Sequence, residues 1–447
     1  MSQSTAEAIR FEAPVGVPLE VTFDAGRLTS DGGPPRLSAA EARLGLCAAF
    51  AAQIPEWRRG PVRHSLEALV RQRAFQIARG YEDQDDADAL RADPLLELAC
   101  GRWPAAGPDL ASRPTLSRLE NAVDRRACYR PGRALLAVYL RERGRRGRPR
   151  RILLDLDGAD DPPHGDREGT AYHGYFRQHM HRPLPAFDGD TDQLIAAALR
   201  PGNARGGRGA VAVLRRIVRA LRARWPGARV ELRADRGSAV PAVYESRERE
   251  GLDYTIGLVP TPRPEALAAP LLAEAQRRHA ATAQKVRLAG RALYRAETWP
   301  AARRAVFKAE ALEQGPNTRF VVTTRAGEPL AAYDRYVDRG TPEQWVGDLK
   351  LGCFADRLSC HRLWPNQFRL LLHAAAYWLR DALRRWRLQR GAERRQLTTL
   401  RRRFLKIAGR VRQLPGRIRL RLASSHPGEP LRRLLTRPPL HPVNIPG

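Results

Sequence analysis

The first long patterned stretch of the chain is helical. Apolar residues recur every three or four positions from Ser38 to about Arg141, which is the period of an amphipathic helix. The segment SAAEARLGLCAAFAAQI opens with Ser38, a residue type favoured at helix N-caps, and HSLEALVRQRAFQIARG closes with Gly80, a type favoured just past a helix end. We therefore predict an all-helical domain over residues 37–148, preceded by an N-terminal arm over residues 1–36.

The period changes to that of a strand at RILLDLDGAD, directly after the basic, glycine-punctuated linker ERGRRGRPRR. Beyond this boundary short strand-like runs alternate with helical ones, a pattern typical of an α/β domain. We predict this domain over residues 149–385, with a mixed sheet and an insertion at about 262–317, where the alternation is interrupted. Residues 386–447 are predicted to form a basic C-terminal region. The basic tail from Arg380 to Arg421 is expected to be mostly helical.

The charge balance indicates the kind of partner. The chain carries 78 Lys and Arg against 48 Asp and Glu, a formal net charge of +30. Such a surplus predicts a polyanionic partner, because each phosphate neutralised by a cation releases a condensed counterion. Nucleic acid is the first candidate and a membrane surface a distant second. Arg is abundant together with Ala, Pro and Gly, a bias that the coding of a genome also produces, so the Arg excess alone does not identify the partner.

Other features concern the compartment. No window approaches the roughly 18 uninterrupted apolar residues of a membrane helix, and the N-terminus lacks the features of a signal peptide. The five cysteines are scattered, without a C-x-x-C pair, so we expect them to be reduced and structural. A cytoplasmic protein without a membrane partner is the expectation.

Acidic residues follow two of the predicted strands. In ILLDLDGADD, Asp155 and Asp157 end an apolar run, and in VELRADRGS, Asp235 does so. A carboxylate at the carboxyl edge of a strand suits metal binding, because the strand fixes it while loops leave room for a substrate. Asp155 and Asp157 share one strand face, and we favour Asp157 because it lies nearer the strand end.

A third carboxylate comes from YDRYVDRGTPEQWVGDLK. Thr341 as N-cap and Pro342 as the first helical residue would place Glu343 in the first turn, with Lys350 on nearly the same face. Three carboxylates and a phosphate substrate suit a two-magnesium site. The alternative is that the aspartates are ordinary strand-end residues and that Glu343 only interacts with the helix dipole.

These residues carry a resemblance to the DDE transposases of bacterial insertion sequences. Tyr336, Arg339, Glu343 and Lys350 match the Tyr-x2-Arg-x3-Glu-x6-Lys signature of one group of these enzymes. The chain is also similar to the insertion-sequence 1380 family in VTFDAGRLTSDGG, LASRPTLSRLEN, LDLDGADDPPHG, LRPGNARG, LRADRGSA and RLSCHRLWPNQFRLLLHAAAY. The likeness extends from about residue 21 to about residue 420.

The resemblance implies a catalytic mechanism. The expected fold is a ribonuclease-H-like core with a β-rich insertion between the second and third acids. Asp157, Asp235 and Glu343 would be the catalytic residues and the ligands of Mg²⁺, for which Mn²⁺ can substitute. In the implied cut-and-paste reaction, water attacks a phosphodiester at the element end, and the freed 3′-hydroxyl then attacks target DNA.

The resemblance also implies DNA contacts. Tyr336, Arg339 and Lys350 would bind DNA phosphates near the cleaved bond, and the helical domain over residues 37–148 would be a DNA-binding domain. The expected partners are double-stranded DNA, as terminal inverted repeats and as target, and a second copy of the chain in a homodimer. The sequence departs from the family pattern at Gly158 and Ala159, where relatives often have hydroxyl or acidic residues, and at Arg236, where many have a small residue. Neither departure removes a metal ligand.

Trp299, in the predicted insertion, has two interpretations. Its ring could stack on a base displaced at the DNA end. An ordinary place in the hydrophobic core is the favoured alternative, because buried aromatic residues are common.

Two other functions stay open. One is a non-catalytic DNA-binding regulatory protein derived from a transposase, and the other is a structure-specific nuclease of the same fold. The three intact acids argue against the first, and the absence of strand joining would distinguish the second.

Overall fold

The structure is a computed structural model that describes residues 9–12, 17–22, 24–104, 107–163, 165–174, 176–204, 207–338, 340–387 and 396–426. It contains two compact units, each made of segments that are not consecutive in the chain. The terminal unit comprises residues 1–45, 59–118 and 379–447, and the sheet unit comprises residues 46–58 and 119–378. The division into four consecutive domains stays a prediction.

In chain order the described elements are β1 (Ile9–Glu12), β2 (Pro18–Val21), β3 (Leu28–Thr29), α1 (Pro34–Leu44), α2 (Leu46–Ala51), α3 (Leu66–Arg79), α4 (Asp86–Leu90), α5 (Pro94–Ala99), α6 (Arg113–Asn121), α7 (Arg125–Gly144), β4 (Arg151–Leu156), β5 (Ala171–His173), β6 (Gln178–Met180), β7 (Leu184–Asp188), β8 (Gln193–Ala198), α8 (Ala210–Arg224), β9 (Arg229–Ala234), α9 (Pro241–Arg249), β10 (Asp253–Leu258), α10 (Pro262–Thr282), β11 (Val286–Tyr294), β12 (Arg303–Leu312), β13 (Gly315–Thr323), α11 (Pro329–Val337), α12 (Gly340–Gly347), α13 (Leu363–Arg387), α14 (Leu397–Leu400), β14 (Gly409–Leu414) and β15 (Arg417–Leu422). Within this described part, none of the helices is long and apolar enough to cross a membrane.

The helix ends follow local chemistry. At the start of α3, the Ser65 side chain accepts a hydrogen bond from the Ala68 backbone, and Gly80 ends the helix in a left-handed conformation, with φ 98°. The predicted N-cap at Ser38 is wrong, because α1 begins four residues earlier, at Pro34. Two consecutive prolines there preset a helical φ, which makes them a better helix start than Ser38.

The C-terminal segment of the terminal unit contains a β-hairpin. β14 and β15 pair antiparallel, and β14 also pairs with β3. The prediction of a mostly helical basic segment is therefore wrong for residues 409–422, where arginines alternate with apolar residues at the period of a strand. Pro415 and Gly416 form the turn, and Gly416 takes a φ of 71°, a conformation that glycine adopts without steric cost.

A buried ionic cluster lies inside the terminal unit. The Asp31 carboxylate is 3.0 Å from the Arg79 guanidinium and 3.1 Å from the Lys406 ammonium, and both Asp31 and Arg79 are fully buried. Burial alone would raise the pKa of Asp31, but the two cations and hydrogen bonds from two neighbouring hydroxyls outweigh burial and lower it. Asp31 is thus held ionised in a water-poor environment.

The sheet unit is built around one mixed eight-stranded sheet in the order β11-β12-β13-β10-β9-β4-β7-β8. The three central strands, β10, β9 and β4, are parallel, and all the outer pairings are antiparallel. Strands β4, β7 and β9 are almost entirely buried, as expected for central strands covered on both sides. The prediction of an α/β fold with a mixed sheet is confirmed.

Residues 262–317 extend this sheet. β11 and β12 lie in this interval and form an antiparallel set with β13. β13 in turn pairs with β10. Helix α10 packs on these strands through Ala268, which is buried against Phe307 and Phe320.

We predict that Asp31→Asn lowers the free energy of unfolding by about 3 kcal/mol at neutral pH, since a buried cation loses an opposite charge. The folded-state pKa of Asp31 is lowered, so its contribution is present above the unfolded pKa of about 3.9 and is lost as the pH falls through the folded value. The difference between the variant and the unmodified protein should therefore shrink below about pH 4. Denaturant unfolding at several pH values measures both effects.

Glu20→Gln is the matched control, because it breaks the exposed pair between Glu20 and Arg10, which should cost under about 1 kcal/mol. Equal losses in the two variants would show that the buried cluster has no special role.

Candidate active site

Two of the predicted acids occupy neighbouring positions. β4 and β9 pair in parallel with Leu156 opposite Ala234, so Asp157 and Asp235 directly follow paired residues at the same edge of the sheet. Adjacent strands lie roughly 4.8 Å apart. Asp157 is 9% exposed and Asp235 is half-buried. Both residues are thus largely removed from solvent but keep some exposed surface.

Asp155 has a structural partner. Its two carboxylate oxygens accept hydrogen bonds of 2.6 and 2.7 Å from the Arg233 guanidinium, and both side chains are buried. The two residues stand opposite each other on β4 and β9. This buried ion pair gives Asp155 a role in holding β4 against β9. Asp157, the residue preferred from the sequence, lies one position beyond the last residue of β4.

The other acids of the DLDGADD segment also have partners. The Asp160 carboxylate accepts a 2.8 Å hydrogen bond from the Lys350 ammonium. Asp161 is buried with its carboxylate 3.4 Å from the His181 ring, and burial raises the pKa of Asp161, partly opposed by His181. The predicted phosphate-binding Lys350 thus lies beside the loop that follows Asp157.

Asp235 is positioned by a tight turn. It precedes the 3₁₀ turn Arg236–Ser238, and the Ser238 hydroxyl donates a 3.1 Å hydrogen bond to its carboxylate. A methyl group on Gly237 would come within 3.0 Å of a carboxylate oxygen of Asp235. The missing side chain at residue 237 therefore leaves space beside this carboxylate.

Two arginines lie close to the acids and were missed by sequence reasoning. The Arg182 and Arg200 guanidinium groups each have a nitrogen 3.4 Å from the position of a β-carbon on Gly158, the residue after Asp157. Burial and the Arg182 charge lower the pKa of Arg200 to about 10, and the Asp235 charge partly opposes them. Arg200 occurs in LRPGNARG, a stretch that resembles the family, and its position in that stretch was the sequence signal that could have found it.

Tyr336 lies over the next strand. A methyl group on Gly257 of β10 would overlap the Tyr336 hydroxyl and would lie 3.1 Å from the Arg236 backbone nitrogen. Helix α11 is fixed here because the Arg335 guanidinium donates hydrogen bonds of 3.1 and 2.8 Å to the buried Glu231 carboxylate on β9. Gly257 therefore allows the phenol to approach the turn that follows Asp235.

Two other predicted site residues, Glu343 and Lys350, do not lie at the strand ends that carry Asp157 and Asp235. Glu343 is exposed in the first turn of α12, and Lys350 lies in the π-helical turn Asp348–Gly352 that continues this helix. Arg339 lies outside the described residues.

Trp299 is 5% exposed and packs against other aromatic rings. Its ring centroid is 5.0 Å from that of Tyr244 and 5.4 Å from that of Tyr294, both in edge-on contacts, and the Arg303 guanidinium lies 5.5 Å from it. Stacking on a base would require the ring to leave this cluster.

The metal ligands expected from the sequence are only partly assembled. Across the described ranges, no group of three or more His, Cys, Asp or Glu side chains is close enough together to hold a metal ion. The structure thus brings together Asp157 and Asp235 through the β4–β9 pairing without adding Glu343. Two adjacent carboxylates are hard oxygen donors that fit Mg²⁺, an ion commonly bound by one or two carboxylates together with substrate phosphates.

Comparisons with known proteins give the following matches. A family model described as transposase DDE domain, group 1, matches residues 12–438. None of the curated proteins matches the chain. Among solved structures, the chain is similar to the piggyBac transposase in its synaptic complex with hairpin DNA, determined by cryo-electron microscopy, with 11% sequence identity, 89% of this chain and 88% of that chain covered, and a TM-score of 0.39.

We predict that Gly257→Ala destabilises the protein by about 1–3 kcal/mol, because the added methyl group overpacks the contact with the Tyr336 hydroxyl. Removing that hydroxyl with Tyr336→Phe in the same molecule should recover part of the loss, which appears as a coupling of about 0.5 kcal/mol or more in a double-mutant cycle. Denaturant unfolding of the four proteins measures the coupling.

Gly227→Ala is the control, since no atom lies within 4 Å of the added methyl group. Strict additivity of Gly257→Ala and Tyr336→Phe would contradict the close approach of Tyr336 to β10.

Proposed function

Since the chain belongs to the family of transposases with a DDE domain of group 1, we propose that it cleaves the ends of an insertion sequence and joins the 3′-hydroxyl ends to target DNA. The observation that carries the mechanism is the placement of Asp157 and Asp235 side by side at the carboxyl ends of two parallel strands. The strand order β8-β7-β4-β9-β10 supports the further proposal that this part of the sheet is a ribonuclease-H-like core. A bacterial insertion sequence of the 1380 family is the proposed source.

Asp157, Asp235 and Glu343 are the proposed ligands for Mg²⁺, or for Mn²⁺ in its place. When bound, such ions activate the attacking oxygen and stabilise the leaving oxygen of a phosphodiester. Asp157 and Asp235 are fixed by the sheet, whereas Glu343 comes from a separate helix. We infer that Glu343 joins the two aspartates when DNA is bound.

The reaction consists of two phosphoryl transfers. In the first, a water oxygen forms a bond to phosphorus at the element end, the bond from phosphorus to the 3′-oxygen breaks, and that oxygen leaves as the 3′-hydroxyl. In the second, this hydroxyl attacks a phosphodiester of target DNA and displaces another 3′-hydroxyl. One phosphorus–oxygen bond forms and one breaks in each step, so no external energy source is required.

The cations around the acids suit a phosphate substrate. Arg182 and Arg200 are held beside Gly158, where fixed positive charge stabilises charge that develops on a phosphoryl group. Lys350, paired with Asp160, would exchange this partner for a DNA phosphate. Tyr336 and Arg339 are proposed to bind neighbouring phosphates, and Arg339 offers bidentate geometry.

The wider DNA contacts are also proposals. Double-stranded DNA, as terminal inverted repeats and as target, accounts for the net charge of +30. The helical segment 37–148 is proposed to bind the repeats, and a homodimer to hold the two ends together. The proposed location of the protein is the bacterial cytoplasm, where it would associate with the nucleoid when bound to DNA.

We predict that Asp157→Asn, Asp235→Asn and Glu343→Gln each lower the rate of strand cleavage at least about 100-fold, because changes outside the ligand shell already cost about 10–100-fold. DNA binding should be largely retained, since these side chains carry no positive charge. The substrate is the DNA that flanks the gene on both sides of a marker. Cleavage with Mg²⁺ is followed on denaturing gels, and joining to a plasmid is followed in parallel.

Glu274→Gln is the matched control, because Glu274 is also a helix glutamate, paired with Arg277 and Arg278, and its loss should leave cleavage unchanged. Binding without cleavage by the unmodified protein would favour the regulatory alternative, and cleavage without joining would favour the nuclease. The lack of a three-acid cluster among the described residues makes Glu343→Gln the most informative variant.

A further inference from the structure

The hairpin of β14 and β15 carries its arginines on one side. Residues paired directly across an antiparallel ladder point to the same side, and Arg410 pairs with Arg421, Arg412 with Arg419, and Leu414 with Arg417. The arginine face consists of these five arginines: Arg410, Arg412, Arg417, Arg419 and Arg421. All five are exposed.

The opposite side of the hairpin is apolar and packed. Val411 is 5% exposed, and its ladder partner Leu420 is half-buried. Leu422 leaves no room for a side chain on Gly32, whose backbone donates a hydrogen bond to Ile407. The apolar side therefore anchors the hairpin within the terminal unit, and the arginine face is the opposite side of the ladder.

The arginine face is electrostatically unfavourable by itself. Like charges directly opposite each other destabilise a ladder, and two of its three rows place arginine against arginine. No carboxylate in the described part of the chain pairs with any of the five, whereas other exposed arginines do have such partners, for example Arg277 and Arg278 with Glu274. A polyanion would remove this repulsion.

We infer that the arginine face binds duplex DNA through its phosphates, with the hairpin in the major groove. The major groove is about 12 Å wide and admits a two-stranded ribbon, and the two strands of the hairpin are about 4.8 Å apart. Arginines on β14 and β15 can then reach phosphates on both edges of the groove. The inference rests on the proposed function in that the bound duplex is the DNA to be transposed.

The test uses the full chain with Arg410, Arg412, Arg419 and Arg421 all changed to Gln. Its affinity is measured across a range of salt concentrations for a short duplex copied from the DNA that flanks the gene. We expect weaker binding, and a slope of log affinity against log salt that falls by about 0.9 for each phosphate no longer neutralised by an arginine, about 3–4 in all. A control variant removes the same charge from α8 with Arg215, Arg219, Arg222 and Arg224 changed to Gln, and its slope should change by less than about 1.

A second variant guards against loss of folding. Changing only the central row, Arg412→Gln with Arg419→Gln, relieves repulsion and should leave the unfolding midpoint unchanged or higher while lowering the salt slope by about 2. An unchanged slope in both hairpin variants overturns the inference. So does a slope change seen with single-stranded DNA, RNA or anionic lipid vesicles but not with duplex.

The same proteins separate this inference from the proposed function. If the four-arginine variant binds like the unmodified protein while the latter cleaves flanking DNA, only the role of the hairpin is wrong. If the unmodified protein cleaves nothing while the variant loses its salt slope, the hairpin still binds DNA and the proposed function is wrong.

Discussion

The buried ion pair between Asp155 and Arg233 selects the register in which the two strands that carry the candidate site pair. It joins the two central parallel strands side by side, and the Arg233 guanidinium also donates a 3.0 Å hydrogen bond to the Arg335 carbonyl of α11. A wrong register would leave two buried charges unpaired, which is strongly destabilising. The pair thus aligns β4, β9 and α11, and with them Asp157, Asp235 and Tyr336.

The acidic and the basic side chains of the protein are distributed differently. The acids at the strand ends are few and held by the sheet, with Arg182 and Arg200 beside them, while other arginines line one face of the β14–β15 hairpin. The proposed DNA cleavage needs both kinds of charge, because carboxylates bind metal ions and cations bind the phosphate backbone. The Asp31 cluster shows the same chemistry used only for stability.

The sequence predicts the parts of this fold that depend on local pattern. Strands β4 and β9, the C-cap glycine of α3 and the strand-end positions of Asp157 and Asp235 follow from periodicity and residue type. Arg182 could not be assigned, because its approach to Gly158 depends on pairing between distant segments. Arg200 was overlooked although it lies in the family-like stretch LRPGNARG. The β14–β15 hairpin was missed because its many arginines were interpreted only as a basic tail, although they alternate with apolar residues at the period of a strand. The start of α1 was misplaced because two prolines, and not Ser38, begin the helix. The interval from Asp235 to Glu343 gives no local signal for where Glu343 lies relative to the two aspartates.

The measurement that tests the account most directly separates Asp155, the acid in the ion pair, from Asp157, the acid proposed to be catalytic. A double variant, Asp155→Leu with Arg233→Met, replaces the ion pair by two apolar residues at the same facing positions, a change that is often tolerated. No charge is then left unpaired, and the remaining backbone pairing of β4 with β9 keeps the strands aligned. Strand cleavage of flanking DNA is compared between this double variant and Asp157→Asn, with folding checked by thermal unfolding. The account predicts cleavage by the folded double variant and none by Asp157→Asn. Cleavage by Asp157→Asn, or a folded but inactive double variant, would contradict it.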